Sequence, residues 1–398
     1  IMNSSKLGKF TSILMLMVVV PSYAFEFGVG VHLRSYEEEA KKYVDLVKQS
    51  NFNAIREDFT WDQVERVPGE YSVNGKMRKV DDFINSSRKY DINTLLVLDY
   101  GNKNITGRNY PTSDDEIKKF ADYAQWTAER YKGKVKYYEI WNEWLVGSGV
   151  PKNFSRPDDS VYLKLVKITS MAIRKVDPEA IIITGSLNPL VHRDRKWMLD
   201  LIKNGLLNYV DGISLHPYSY MLPNKQLNTP KNAILNISSF ENQVRKEAGR
   251  DVPFYITEMG YPTYSGASGI SEVDAANWIV EYSILAKQTG YIKGVWWYDL
   301  INDGNSAENK EFNFGFYTHD LQEKKSAVQI KKLGSVIRSS TLSAQSERST
   351  VPMKSYQLSS EPQSSWSVYN LQSDNGNITI RCPSVATDNS DSLCEISK

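Results

Sequence analysis

Thr94-Leu95-Leu96-Val97-Leu98-Asp99, a helical stretch over 114–132, and Tyr137-Tyr138-Glu139-Ile140-Trp141 decide how this chain is read. The outer two are short, β-rich apolar runs with the character of strands. Between them Ile117, Phe120, Ala121, Ala124, Trp126 and Ala128 recur near helical spacing, with Lys118, Lys119 and Asp122 outward. The start of that helix is marked as well. Ser113, followed three residues later by Glu116, is a capping-box pattern, and Asp114 and Asp115 give the first turn the negative charge its dipole favours. Strand, helix and strand in this order call for parallel strands joined by a right-handed crossover.

The unit recurs in both directions along the chain. Strands are predicted at Phe27–Leu33 and Ala54–Glu57 before it, and at Ala180–Thr184, Gly212–His216, Phe254–Glu258 and Gly294–Tyr298 after it. Helical segments alternate with them near 36–50, 77–90, 157–176, 196–205, 232–249, 271–289 and 322–338. Eight such units between Phe25 and Arg338 fit a closed (β/α)8 TIM barrel better than an open doubly wound sheet. The length of 398 residues would otherwise suggest two or three domains at about 150 residues each, but one α/β barrel commonly takes about 250 or more. After Arg338 the character changes. From Ser339 onward 16 of 60 residues are serine, and helical periodicity stops. Ser355–Leu358, Trp366–Asn370 and Asn377–Arg381 read as strands of a small β-appendage, and the stretch Ser339–Thr350 is compatible with partial disorder.

Charge and composition narrow the function. With 48 basic and 47 acidic residues, the chain has no electrostatic footprint for nucleic acid or anionic lipid. At the N-terminus Lys6 and Lys9 precede the apolar run Ile13–Val20, then Pro21 and the small residues of Ser22-Tyr23-Ala24. Eight apolar residues make about 12 Å of helix, far short of the ~30 Å hydrocarbon layer. Residues 1–24 therefore read as a signal peptide cut before Phe25, and its removal takes the net charge from +1 to −1. Export to the periplasm or beyond is the expected localisation, with no stable membrane span. Both cysteines, Cys382 and Cys394, lie near the C-terminus, and in an oxidising compartment they are expected to bridge. Closing so short a loop contributes roughly 3 kcal/mol in chain-entropy terms.

In a barrel of this kind reactive groups sit where strands end and βα loops begin. Strand four ends Glu139-Ile140-Trp141-Asn142-Glu143, and strand seven ends Ile256-Thr257-Glu258. Each places an acid at the barrel mouth directly after an apolar run, where a carboxylate is costly unless paired or employed. Two carboxylates flanking one cleft are what glycosidic hydrolysis requires, one to hand over a proton and one to attack or stabilise the sugar cation.

Trp141-Asn142-Glu143 and Ile256-Thr257-Glu258 resemble the two signatures of the glycoside hydrolase clan A barrels. The nearer likeness is to family 39 and similar secreted exopolysaccharide glycosidases, with family 5 next. The resemblance implies Glu143 as acid/base, Glu258 as nucleophile, and Asn142 as hydrogen-bond partner of the hydroxyl beside the reacting carbon. By the same likeness Arg56 stands near the nucleophile, where a cation keeps it ionised. His216 and Tyr218 face it from strand six, with Tyr218 the more direct partner. One of Trp296 and Trp297 forms the platform of the central sugar subsite, since alternation sends only one inward. His32 ends strand one at a sugar-contacting position. Glu139, four residues before Glu143, shares the inner side and reads as an interior partner for Arg56. Trp61, Tyr100 and Trp144 line further subsites or simply pack.

Other chemistries lack their signatures. Gly28 and Gly30 begin a dinucleotide fingerprint, but Leu33 stands where the third glycine belongs. There is no HExxH helix or GxSxG elbow, and the four histidines are scattered, so the sequence implies no metal and no cofactor. The expectation is a monomeric retaining glycosidase, endo-acting on a β-linked polysaccharide. An exo-acting β-xylosidase-like enzyme, a transglycosylase and a non-catalytic carbohydrate-binding barrel are the alternatives.

Overall fold

The computed structural model describes residues 24–339, 366–373, 376–383 and 392–397. Eight strands form one parallel sheet: β1 (Glu26–Gly30), β2 (Ala54–Thr60), β3 (Asn93–Asp99), β4 (Tyr137–Ile140), β5 (Ile181–Thr184), β6 (Ile213–Leu215), β7 (Phe254–Met259) and β8 (Ile292–Trp297). Their order runs β5-β4-β3-β2-β1-β8-β7-β6. Parallel bridges Ile183–Gly212 and Leu187–Leu215 close β5 against β6, so the sheet becomes a (β/α)8 barrel. This seam is the thinnest pairing, with Thr184 N to Gly212 O at 3.3 Å and Leu187 N to Ser214 O at 3.4 Å. All eight predicted strands are present, with ends displaced by a few residues.

The helices between strands are α1 (Ala40–Gln49), a single turn α2 (Trp61–Val64), α3 (Met77–Ser87), α4 (Asp114–Arg130), α5 (Asp159–Val176), α6 (His192–Lys203), α7 (Pro230–Ala248), α8 (Glu272–Gln288) and α9 (Lys325–Ser339). At the start of α4, Ser113 Oγ accepts from the Glu116 amide and the Glu116 carboxylate accepts from the Ser113 amide. The predicted capping box is therefore formed.

Strand alternation divides the apolar residues into two layers. Phe27, Val29, Ile55, Leu96, Leu98, Tyr138, Ile140, Ile256, Val295 and Trp297 face outward into the helix layer. Ala54, Leu95, Val97, Tyr137, Ile181, Ile183, Tyr255 and Trp296 meet inside the barrel and form the floor beneath its mouth. Trp296 dominates that floor, with its ring 5.6 Å from Tyr137 and 6.4 Å from Tyr255. Gly28 on the neighbouring strand is what gives the indole room, because a Cβ there would stand 2.4 Å from Trp296 Cδ1.

Past the barrel, β9 (Trp366–Ser373), β10 (Gly376–Pro383) and β11 (Glu395–Ser397) make a small antiparallel sheet. Cys382 and Cys394 are joined by a disulfide. The sheet is fastened to the outside of the barrel: the Cys394 amide donates to Asn277 Oδ1 on α8, and Gln329 Nε2 on α9 donates to the Cys394 carbonyl. Residues 1–23 of the expected signal peptide, the strand predicted at Ser355–Leu358 and nearly all of Ser339–Thr350 lie outside the described residues. No helix among the described residues is long and apolar enough to cross a membrane.

Gly28→Ala is expected to destabilise the chain by about 1–3 kcal/mol through overpacking against Trp296. Gly30→Ala, whose Cβ would meet nothing closer than 3.6 Å, should leave the urea midpoint nearly unchanged.

Candidate active site

The barrel mouth is organised around a buried guanidinium. Arg56, on the inner face of β2, reaches Glu258 Oε1 at 2.5 Å through Nη1, Glu139 Oε2 at 2.9 Å through Nε, and Asn142 Oδ1 at 2.9 Å through Nη2. Burial alone would weaken its charge, but Glu139 and Glu258 outweigh that and push its pKa well up. Glu139 has no exposure at all, and its second oxygen accepts from Ser214 Oγ at 2.7 Å. It is the interior partner of Arg56.

Glu258 enters the mouth through an irregularity. Strict alternation would send Thr257 and Glu258 to opposite faces of β7, yet both serve the interior. The β7–β8 register shifts between Ile256 and Met259, and this lets two successive side chains turn inward. Thr257 Oγ1 lies 3.0 Å from His216 Nε2. Tyr218 OH donates to Glu258 Oε2 at 2.9 Å, and burial together with Glu258 pushes that phenol's pKa up, so it remains a donor.

Glu143 is presented by strained backbone. After β4 the chain takes left-handed values at Trp141 (φ 71°) and again at Glu143 (φ 47°). Neither residue is glycine, and such conformers cost on the order of 1–3 kcal/mol each. Surrounding contacts hold them: Trp141 is packed among Tyr100, Tyr110, Phe120 and Trp144, and the Glu143 amide donates to Ser186 Oγ at 3.2 Å. The Glu143 carboxyl accepts from Ser148 Oγ at 2.5 Å and lies 3.1 Å from His216 Nδ1. Burial opposes its charge, but the hydrogen bond and charge of His216, with Ser148 and Arg56, hold its pKa down to about 2. His216 responds in the opposite sense. Burial and Arg56 disfavour its cation, yet Glu258 and Glu143 outweigh them and raise its pKa. One ligand-capable atom each from Glu143, His216 and Glu258 lies within 4.8 Å of the other two.

The remaining sequence-predicted residues divide. Asn142 joins the cluster, bonded to Arg56 and donating to Tyr100 OH at 2.8 Å. His216 sits closer to Glu143 than to Glu258, from which its Nδ1 is 3.6 Å away. His32 reaches the mouth, but its Nδ1 is turned onto Asp303 Oδ1 at 2.7 Å. Trp296 and Trp297 are both corrected. Trp296 points inward yet is sealed in the barrel floor, and Trp297 points outward, donating from Nε1 to Ser283 Oγ at 3.1 Å. The aromatic face of β8 at the mouth belongs instead to the partly exposed Tyr298, whose ring stands 5.5 Å from His32 and 5.3 Å from Phe314. Trp61 and Trp144 are core residues, and only Tyr100 of that trio reaches the site. Sequence reasoning also missed Ser148 and Ser186, which carry no signal beyond their loop positions.

A (β/α)8 barrel with two facing carboxylates at its mouth, on the ends of β4 and β7, defines a glycoside hydrolase of the clan A type. The sequence matches the family model described as Cellulase (glycosyl hydrolase family 5) over residues 22–300, and the chain belongs to that family. No curated protein sequence matches it. Among solved structures it is similar to a family 39 glycoside hydrolase from Bacteroides cellulosilyticus WH2, with 21% identity, 92% of this chain and 71% of that one covered, and a TM-score of 0.69. It is also similar to xylanase 10B from Thermotoga maritima (16% identity, 79% and 96% covered, TM-score 0.60). A family 39 β-xylosidase from Caulobacter crescentus matches at 17% identity, 79% and 72% covered, TM-score 0.58. At these identities the likeness is one of fold.

Two outcomes follow from the site's electrostatics. Arg56→Ala would strand buried Glu139 without its counter-charge and is expected to cost about 3–5 kcal/mol, read from urea denaturation. Glu143 titrates at about 2 when folded against 4.5 for a free carboxyl, so its charge stabilises the fold above pH 4.5. That contribution is lost as pH falls from 4.5 toward 2. The difference in urea midpoint between the unaltered chain and Glu143→Gln should therefore be constant above that window and change within it.

Proposed function

We propose that this glycoside hydrolase is a retaining enzyme that cuts within a β-linked polysaccharide, with Glu258 as nucleophile and Glu143 as acid/base. The observation that carries the reading is the carboxyl spacing. An oxygen of Glu143 and one of Glu258 lie within 4.8 Å. Oxygens that near fit the ~5–5.5 Å between the carboxyl groups of retaining pairs better than the ~6.5–9.5 Å of inverting ones.

In the first step Glu258 attacks the anomeric carbon as the glycosidic C–O bond breaks, and Glu143 gives its proton to the departing oxygen. That proton reaches Glu143 from His216 across their 3.1 Å hydrogen bond once substrate has displaced water from the cleft. In the second step Glu143, now a carboxylate, takes a proton from water while the water oxygen replaces Glu258 at the anomeric carbon. Arg56 and Tyr218 bond one oxygen each of Glu258 and hold it aimed, which is the task their contacts suit. Asn142 offers an amide to the neighbouring hydroxyl, and Tyr298 offers the sugar ring an aromatic face.

Xylan is a reasonable first candidate among β-linked substrates, since xylanase and β-xylosidase structures are among those with the same fold. The β-xylosidase likeness also supports an exo-acting second reading. The facing, oriented carboxylates favour turnover over a barrel that only binds carbohydrate. We further take residues 1–24 as an export signal, 25–338 as the catalytic barrel and 339–398 as its appendage. The Cys382–Cys394 bridge supports work in an oxidising compartment outside the cytoplasm.

The test is a panel of β-glucans, mannans, xylans and bacterial exopolysaccharides, with the anomer of the first product followed by NMR. Retained configuration is expected, and an inverted product would overturn the mechanism. On the best substrate Glu143→Gln should lower kcat by about 10²–10⁴-fold. Glu258→Ala should abolish turnover, and azide should restore it with formation of a glycosyl azide.

A further inference from the structure

His32, Asp299 and Asp303 form a second convergence of ligating groups, on the β8–β1 side of the mouth and separate from the carboxylate pair. One ligand-capable atom from each lies within 4.8 Å of the other two. His32 Nδ1 is 2.7 Å from Asp303 Oδ1 and 3.7 Å from Asp299 Oδ2. The second distance is too long for a hydrogen bond.

Asp299 is the anomaly. It is 1% exposed, and neither carboxylate oxygen has a hydrogen-bond partner. A buried carboxylate in that state is costly unless a cation meets it, and among the described residues only the His32 ring, at 3.7 Å, comes near enough to pair with it. The nearest lysine does not supply the contact, because Lys324 Nζ is engaged by Thr263 Oγ1, Asn302 Oδ1 and the Asn313 carbonyl. Asp299 thus brings two carboxylate oxygens without a hydrogen-bond partner up beside His32.

We propose that His32, Asp299 and Asp303 bind one divalent transition cation of the Zn²⁺ or Mn²⁺ kind. Two carboxylates balance its charge, and the imidazole nitrogen selects against Ca²⁺ and Mg²⁺, which favour all-oxygen shells. Binding would draw the three donors to about 2.0–2.2 Å from a common centre. They ride on rigid elements. His32 follows β1, Asp299 follows β8, the two strands are paired, and the Leu300 amide donates to the Gly30 carbonyl at 3.0 Å. His32 and Asp303 are partly exposed, at 29% and 25%, so an ion can enter past them while Asp299 closes the site from below. The ion would tie the β1 and β8 ends together beside Tyr298 and leave its remaining positions to water or a sugar hydroxyl. This site is independent of the reaction assigned to Glu143 and Glu258.

The experiment uses the full chain after dialysis against chelator. Isothermal titration with ZnCl₂ and MnCl₂ should give saturable binding at one equivalent, with a rise in Tm, and CaCl₂ and MgCl₂ should bind at least about tenfold more weakly. Asp299→Asn and Asp303→Asn should each abolish the metal-dependent rise in Tm, while Glu143→Gln, which disarms the other convergent cluster, should keep it. Two results would overturn the proposal. One is no uptake of either metal by the unaltered chain. The other is uptake that survives Asp299→Asn but is lost in Glu143→Gln, which would put the ion in the catalytic cleft. Asp299→Asn melting without metal separates misfolding from lost binding: a folded variant with an unchanged or higher Tm and no metal response is the expected outcome.

Discussion

The Arg56 guanidinium, buried at the barrel mouth and bonded to Glu258, Glu139 and Asn142, is the constraint on which the rest of the site depends. Removing such a group from water is expensive, and the expense is offset only where good geometry satisfies its donors. Glu139 is fixed in turn by Ser214, and Ser214 Oγ lies 2.6 Å from Thr257 Oγ1. One network therefore ties β2, β4, β6 and β7 together. It exists only because the sheet closes, since an open sheet would leave Glu139 and Arg56 facing no opposite wall.

Against that rigid frame the chain stores strain at Trp141 and Glu143. The aromatic cluster around Trp141 keeps the loop from relaxing, and the two left-handed residues lift the Glu143 carboxyl toward His216 and Glu258. Strand β7 uses a different device, a register shift that lets Thr257 and Glu258 both turn inward. One carboxyl is thus delivered by strained dihedrals and the other by a bulge. Both are set on strand ends, where position is held more tightly than on long loops.

Most of the architecture was legible in the chain. Alternation of apolar runs with helical periodicity gave eight units, and the Ser113–Glu116 cap marked a helix start. The motif acids could be placed on strand ends because period-2 alternation carries Glu139 and Glu143 to one side. The same rule misled at β8. It correctly separates Trp296 from Trp297, but it says nothing of depth along the barrel axis, and Trp296 lies one layer too low to meet a ligand. Tyr298, two residues further along the same inward row, reaches the mouth. The scattered histidines gave no sign of a metal cluster, because His32 and Asp299 are far apart in sequence and meet only through β1–β8 pairing.

Local chemistry in the sequence thus determined which segments become strands and helices, that they wind as parallel βα units, and which two acids stand at strand ends. Short-range periodicity suffices for this, since it depends on neighbours one to four residues away. The tertiary structure decided the pairing of Arg56 with three acceptors, the depth of each aromatic, the contact of His216 with Glu143, and the orphaned state of Asp299. Those properties depend on which side chains meet across a closed barrel and on how much water remains between them, and neither is written in any local stretch of chain.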